Sequence, residues 1–202
     1  MKSHASSSDE PVKSKEELIE KYRHYNVEHD WWDWHYADYV ERMEAVGISI
    51  DAKDIHFSGF WCQGDGASFS GYIHETDMKR FMEIHKLSEY YPEAFYFAVK
   101  DELGVKLVRS SHHYSHENTI NIDLQDDSLD YSDFDEDDVR GVIYQAMRDA
   151  YYVTARDLEE EIQQICRGYM KDLYLELQKE YEYLTSDECV LETIEANNLT
   201  EE

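Results

Sequence analysis

The chain has 202 residues, with 46 Asp and Glu against 19 Lys and Arg, so its formal net charge at pH 7 is −27. Such a charge repels the phosphate backbone of nucleic acids, whose affinity for proteins comes largely from Lys and Arg, and it also repels anionic membranes. We therefore expect no direct binding to nucleic acid or membrane. A basic protein is the expected partner; halophilic adaptation, weak cation binding and solubility alone stay open as alternatives.

The cysteine pattern favours a reducing compartment. Cys62, Cys166 and Cys189 are an odd number of cysteines without a closely spaced pair, which argues against a disulfide framework. Residues 1–14 lack the apolar segment of a secretory signal, and no run approaches the roughly 18 apolar residues that a membrane span needs. We expect a soluble protein of the cytosol.

The first half of the chain predicts several short helices. Residues 1–13 are polar and rich in serine, which predicts a flexible tail ahead of a single acidic α+β domain over 14–202. Ser14 and Glu17 form a capping-box pattern that predicts a helix from Lys15 to about Tyr25. Further helices are expected over 30–46, 76–90 and 93–103.

Two hairpins are predicted among these helices. Alternating apolar residues over 55–61 and 69–73 indicate two strands, and the sequence QGDG at 63–66 provides a turn between them. A second hairpin is predicted from strands over 105–111 and 119–124. The sequence therefore predicts an α+β fold, in which a four-stranded antiparallel sheet of two hairpins is flanked by helices.

The last third of the chain is acidic. Residues 123–138 contain nine acids and no base, and a helical pattern follows from Val139 to about Leu184. Its apolar residues lie three or four apart, and this stripe is expected to pack on the sheet or on a second copy of the chain, which leaves a homodimer open. Carboxylates spaced by four residues share one face of a helix. The candidate partner-binding carboxylates are Asp126, Asp127, Asp130, Asp133, Asp135, Glu136, Asp137, Asp138, Asp172, Glu176 and Glu180.

A small enzyme is an alternative interpretation. If the two hairpin turns lie side by side, they bring together Gln63, Asp65, Tyr114 and His116, and His116 could act as a general base oriented by Asp65. The glycines at the first turn lack the GxGxxG spacing, and the acidic run lacks the glycine and the final glutamate of an EF-hand loop. We therefore expect neither a cofactor nor a metal ion.

The segment 57–71, FSGFWCQGDGASFSG, resembles a motif of small uncharacterised phage and prophage proteins. The segment 108–122, with Tyr114 and His116, and the segment 180–188 resemble further parts of that family, so the resemblance covers most of 54–197. The family motif has serine where this chain has Cys62. Some members of the family carry the label of an antitoxin, and the resemblance therefore implies neutralisation of another protein.

The charge and the resemblance together predict an inhibitor. A phage-encoded acidic protein meets host enzymes that hold DNA in basic grooves, and a rigid helix with regularly spaced carboxylates can imitate the charge of a DNA strand. We expect a DNA mimic that inhibits a host restriction or CRISPR-type enzyme, or another basic nucleic-acid-binding host protein. The alternatives are an antitoxin that occludes a basic toxin, and the small enzyme described above.

Overall fold

Helices form most of the chain in the computed structural model, which describes residues 14–111, 113–130 and 138–199. Within these ranges there are seven α-helices and five short strands, so the predicted α+β class is confirmed. The helices are α1 (Lys15–Tyr22), α2 (Asp33–Ala45), α3 (Glu75–Ile84), α4 (Leu87–Tyr90), α5 (Pro92–Ala98), α6 (Val139–Leu184) and α7 (Asp187–Asn197). The strands are β1 (Ile55–Phe57), β2 (Ala67–Phe69), β3 (Gly71–Ile73), β4 (Gly104–Arg109) and β5 (Ile120–Gln125). The predicted tail, residues 1–13, lies outside the described residues.

The strands form two small sheets, so the prediction of one four-stranded sheet is wrong. Strand β1 pairs only with β2, in antiparallel register with Phe57 opposite Ala67. The second sheet has three antiparallel strands in the order β3-β4-β5. The second predicted hairpin is thus present as β4 and β5, whereas the strand predicted over 69–73 is divided between the two sheets.

The division occurs at Ser70 because the chain changes partners there. The Ser70 amide donates to the Asp54 carbonyl, and Tyr72 then exchanges two backbone hydrogen bonds with Ser49, at 2.7 and 2.9 Å. Gly71 makes this close approach possible. A Cβ at Gly71 would overlap the Ser49 carbonyl oxygen and lie 2.8 Å from Cγ2 of Ile50. Tertiary packing therefore sets the sheet order.

The larger of two compact units spans residues 33–177, and α6 is hydrogen-bonded to both α2 and β5 within it. The tyrosine hydroxyl of Tyr39 in α2 donates to the Tyr169 carbonyl at 2.8 Å, and the Gln163 amide donates to the Ile120 carbonyl in β5 at 3.1 Å. The buried row of α6 consists of Leu158, Ile162, Cys166, Met170, Leu173 and Leu177. The predicted stripe therefore packs on this chain's own sheet and helices, with Ile165 only half-buried at its flank.

The smaller unit combines residues 14–32 with 178–199. Its apolar core is Ile19 of α1 packed with Val190 and Ile194 of α7. The predicted capping box at Ser14 is present. Within this unit, the side-chain amide of Asn26 donates to the Leu184 carbonyl at 3.2 Å. A single domain over residues 14–202 stays a prediction.

None of the helices in the described part of the chain combines the length and the apolar composition that a membrane crossing requires.

Candidate functional site

The two turns that the enzyme interpretation depends on lie against each other. In the first turn, the Asp65 carboxylate accepts a hydrogen bond from the Cys62 amide at 2.7 Å, which closes the loop. Gly64 has φ +93°, and a Cβ there would overlap the Tyr114 ring. The Ser115 amide donates to the Gly64 carbonyl at 3.3 Å. A Cβ at Gly66 would likewise overlap the His116 Cα, so Gly64 and Gly66 allow residues 63–66 to lie next to residues 114–116.

The functional groups at this junction are not arranged as a general base with its orienting acid. The His116 Nδ1 accepts the Asn118 amide at 3.2 Å, and the Asp65 carboxylate is bound to the Cys62 amide. No hydrogen bond between described residues joins Asp65 to His116. The Tyr114 and His116 rings are stacked with centroids 6.0 Å apart, and Gln63 is exposed. Among the residues that the structure describes, no three His, Cys, Asp or Glu are placed to hold a metal ion.

Trp61 is the most unusual residue of the first turn. Its φ is +68°, a left-handed conformation that is strained for a bulky side chain, and its side chain is 71% exposed. The neighbouring Phe60 packs on Tyr174 of α6 with ring centroids 5.5 Å apart. Burial, followed by the Asp65 carboxylate, raises the pKa of Tyr174, while a backbone hydrogen bond of Trp61 opposes this shift. The loop is thus fixed on α6 while it presents an indole to solvent.

Within the described part of the acidic run, Asp126 is bound to the long helix. The Tyr151 hydroxyl donates to the half-buried Asp126 carboxylate at 2.9 Å. Burial and then the Asp126 charge raise the pKa of Tyr151. Asp127 and Asp138 are exposed. Asp133, Asp135, Glu136 and Asp137, together with the side chain of Asp130, lie outside the described residues.

The three candidate carboxylates of α6 are not equivalent. Asp172 is exposed, but Glu176 forms a bidentate ion pair with Arg42 of α2, with one N–O distance of 2.9 Å. Arg42 also contacts Asp38 at 3.0 Å, and the pKa of Arg42 is raised, first by the hydrogen bond that it donates to Glu176. Glu180 is half-buried. The expectation that all three act as one outward-facing set must therefore be corrected for Glu176, whose charge a neighbouring helix compensates.

Residues 31–187 match the family described as Domain of unknown function (DUF8835). The chain belongs to this family. No curated protein and no solved structure matches the chain. The matched residues of the DUF8835 domain include both turns and all of α6, so the two turns and the candidate carboxylates of α6 lie within the family's domain.

Sequence reasoning about this DUF8835 domain missed two residues that shape its surface. The ion pairs of Arg42 are not among the expectations from sequence, although Arg42 is the only Lys or Arg of α2 and lies four residues after Asp38, a spacing that favours an ion pair. Trp61 was assigned to a strand because it continues the alternation from Ile55. The turn sequence at 63–66 indicates that the strand ends before Trp61, and strand β1 in fact ends at Phe57.

Proposed function

We propose that the protein binds a basic, nucleic-acid-binding partner through exposed carboxylates and thereby blocks the partner's nucleic-acid site. In this proposal it is a phage-encoded inhibitor of a host restriction or CRISPR-type enzyme. The observation that supports the proposal is the excess of unpaired acids along α6 and α7. Between residues 157 and 195 there are twelve acids and only three bases.

Most of these acids have no compensating charge. Ion pairs hold Glu160 with Arg156, Glu176 with Arg42, and Asp187 with Arg23. Within the described ranges, eight others have no ion-pair partner: Asp157, Glu159, Glu161, Asp172, Glu182, Glu188, Glu192 and Glu195. Like charges this dense oppose the compact state. Their retention on helix surfaces is easier to understand if they bind a basic surface than if they serve folding.

Two of these exposed acids share one face of the long helix α6. Helix α6 has 46 residues and is therefore about 69 Å long at 1.5 Å per residue. Asp157 and Glu161 are exposed and four positions apart, so their Cα atoms lie roughly 6 Å apart along the helix axis. A DNA strand carries one charge per ~3.4 Å of helix axis, so carboxylates spaced by four residues provide a lower but regular charge density. Because these acids are exposed and have no ion-pair partner in the described part of the chain, we place the mimicking charge on this part of α6 and, separately, on α7, rather than on the compensated Glu176.

Capture followed by displacement tests this proposal. The immobilised protein is used to isolate a host partner at low salt, and the purified partner is loaded with a fluorescent DNA or RNA duplex. We expect the wild-type protein to displace the duplex. A variant with Glu188, Glu192 and Glu195 changed to Gln, or one with Asp157 and Glu161 neutralised, should displace it less well. A partner that retains its duplex when saturated with the wild-type protein would contradict mimicry and favour an antitoxin with an apolar interface.

The small enzyme remains a second candidate because the two turns meet. Paired variants separate the two functions. Neutralising Asp133, Asp135, Asp137 and Asp138 to Asn should weaken an inhibitor and leave a site at the turns intact. Replacing Asp65 and His116 by Ala should have the opposite effect. If the second variant folds but loses activity while the first is normal, the protein is an enzyme.

A further inference from the structure

A groove in the larger unit has an apolar floor and an acidic rim. It lies between α2, the segment 49–54 and β3, and its volume is about 670 Å³. Val40, Ile50 and the 44% exposed ring of Tyr72 contribute apolar surface. The rim carries four carboxylates, those of Glu41, Glu44, Asp51 and Asp54. No basic residue is among the described residues that line it.

The groove is held in place by backbone hydrogen bonds. Ser49 and Tyr72 exchange two such bonds, and the Asp54 carbonyl accepts the Ser70 amide at 3.1 Å. The Tyr72 ring is supported by His74, with an interplanar angle of 13° and centroids 5.6 Å apart. A ligand therefore meets a surface that is already formed, which lowers the entropic cost of binding.

The chemistry of the groove selects a cationic and partly aliphatic ligand. Four carboxylates repel phosphates and anionic lipids. They are too dispersed for a metal ion, since no described group of three acids, cysteines or histidines could hold one. A lysine or arginine side chain combines an apolar stem with a charged head, so it can lie on Val40 and Ile50 and reach the rim. The exposed tyrosine ring of Tyr72 also attracts cations.

The competing cation within the chain is weakly held. Lys53 contacts Asp51 at 2.8 Å, but the two side chains are 75% and 54% exposed. Ion pairs between exposed groups contribute little to stability. Asp51 can therefore exchange Lys53 for a cation of a bound segment, and Glu41, Glu44 and Asp54 have no ion-pair partner among the described residues.

We propose that this groove receives a lysine or arginine side chain from an extended segment of the basic partner. The identity of the partner rests on the proposed function, whereas the chemistry of the groove does not. The groove recognises one basic segment of the partner. The unpaired acids of α6 and α7 attract the partner's basic surface over a longer range.

A short basic peptide tests the groove without the partner. The probe is acetyl-Ala-Lys-Leu-Lys-Ala-amide, and its control carries Gln in place of both Lys. Titration of the ¹⁵N-labelled protein should give saturable amide shifts that are largest near Val40, Glu41 and Tyr72. Changing Glu41 and Glu44 to Gln should weaken binding by roughly three- to tenfold, as expected for two exposed charge contacts.

Two exposed glutamates outside the groove, Glu83 of α3 and Glu89 of α4, supply the matched control, because their change to Gln removes the same charge. This control variant should bind the probe like the wild type. Three results would contradict the proposed groove. They are equal weakening of probe binding in both variants, amide shifts spread evenly over α6 and α7, and binding of the Gln peptide as strong as that of the Lys peptide. If the peptide binds in the groove but no captured partner releases its duplex, the proposed function is wrong and the groove proposal is supported. If the Glu41 and Glu44 variant displaces the duplex as well as the wild type does, the groove proposal is wrong and the proposed function is supported.

Discussion

Gly66→Ala is expected to destabilise the protein because residue 66 lies against the backbone of the second turn. A Cβ at Gly66 would overlap the His116 Cα and lie 2.7 Å from its Cβ and 2.9 Å from its backbone nitrogen. Non-bonded carbons prefer about 3.5–4.0 Å, so the two turns must separate by about 1 Å. Overpacking of this kind costs typically 1–3 kcal/mol. For a chain of this size, each kcal/mol lowers Tm by about 2–4 °C, so we expect a decrease of roughly 2–12 °C.

Gly168→Ala is the matched control for this experiment. Gly168 lies inside α6 and has no heavy atom within 4 Å of a built Cβ. Alanine is favoured over glycine in a helix by about 1 kcal/mol, so Tm should rise by about 2–4 °C. Both variants are measured by thermal unfolding followed by circular dichroism. A Gly66→Ala protein that melts at or above the wild-type temperature would refute the contact between the two turns.

Three further predictions concern buried groups. Tyr151→Phe removes the hydroxyl that donates to Asp126 at 2.9 Å, and it should lower the free energy of unfolding by about 1–3 kcal/mol in urea; an unchanged value would contradict this bond. Burial raises the pKa of the Cys166 thiol to about 12, whereas Cys62 is exposed, so a thiol reagent at pH 8 should modify Cys62 first, and Cys62→Ser should remove the fast phase. Burial lowers the pKa of His85 below its ordinary 6.5, so its protonation favours the unfolded chain. The free energy of unfolding should therefore decrease as pH falls below about 6.5, less steeply in His85→Gln; identical slopes would show that His85 does not contribute.

The long helix could be predicted from sequence because its signals are local. Apolar residues recur every three or four positions from Val139, and Ser186 begins a new helix directly after Leu184. The interruption between α3 and α4 could not be predicted, because the chain turns at Lys86 with φ +58° and has neither glycine nor proline there. The division of the strand at Ser70 depends on Ser49, which is distant in sequence.

The sequence indicates which residues lie at the candidate site, but it does not indicate which hydrogen bonds they form. Residue types alone indicate that Asp65 and His116 are polar neighbours of two turns, and the structure does bring these turns together. Their hydrogen bonds to Cys62 and Asn118 depend on local backbone geometry that residue types do not reveal. The bond between Arg42 and Glu176 joins residues 134 positions apart, and a single sequence carries no signal for it.

We propose that unpaired carboxylates bind a basic partner at its nucleic-acid site, and one measurement tests this proposal directly. The most direct measurement is displacement of a fluorescent duplex from the captured partner at about 50 and about 500 mM salt, because exposed charges are screened within a few ångströms at high salt. We expect displacement at low salt and an apparent affinity that falls steeply at high salt. Binding of equal strength at both salt concentrations, with the duplex still attached to the partner, would contradict it.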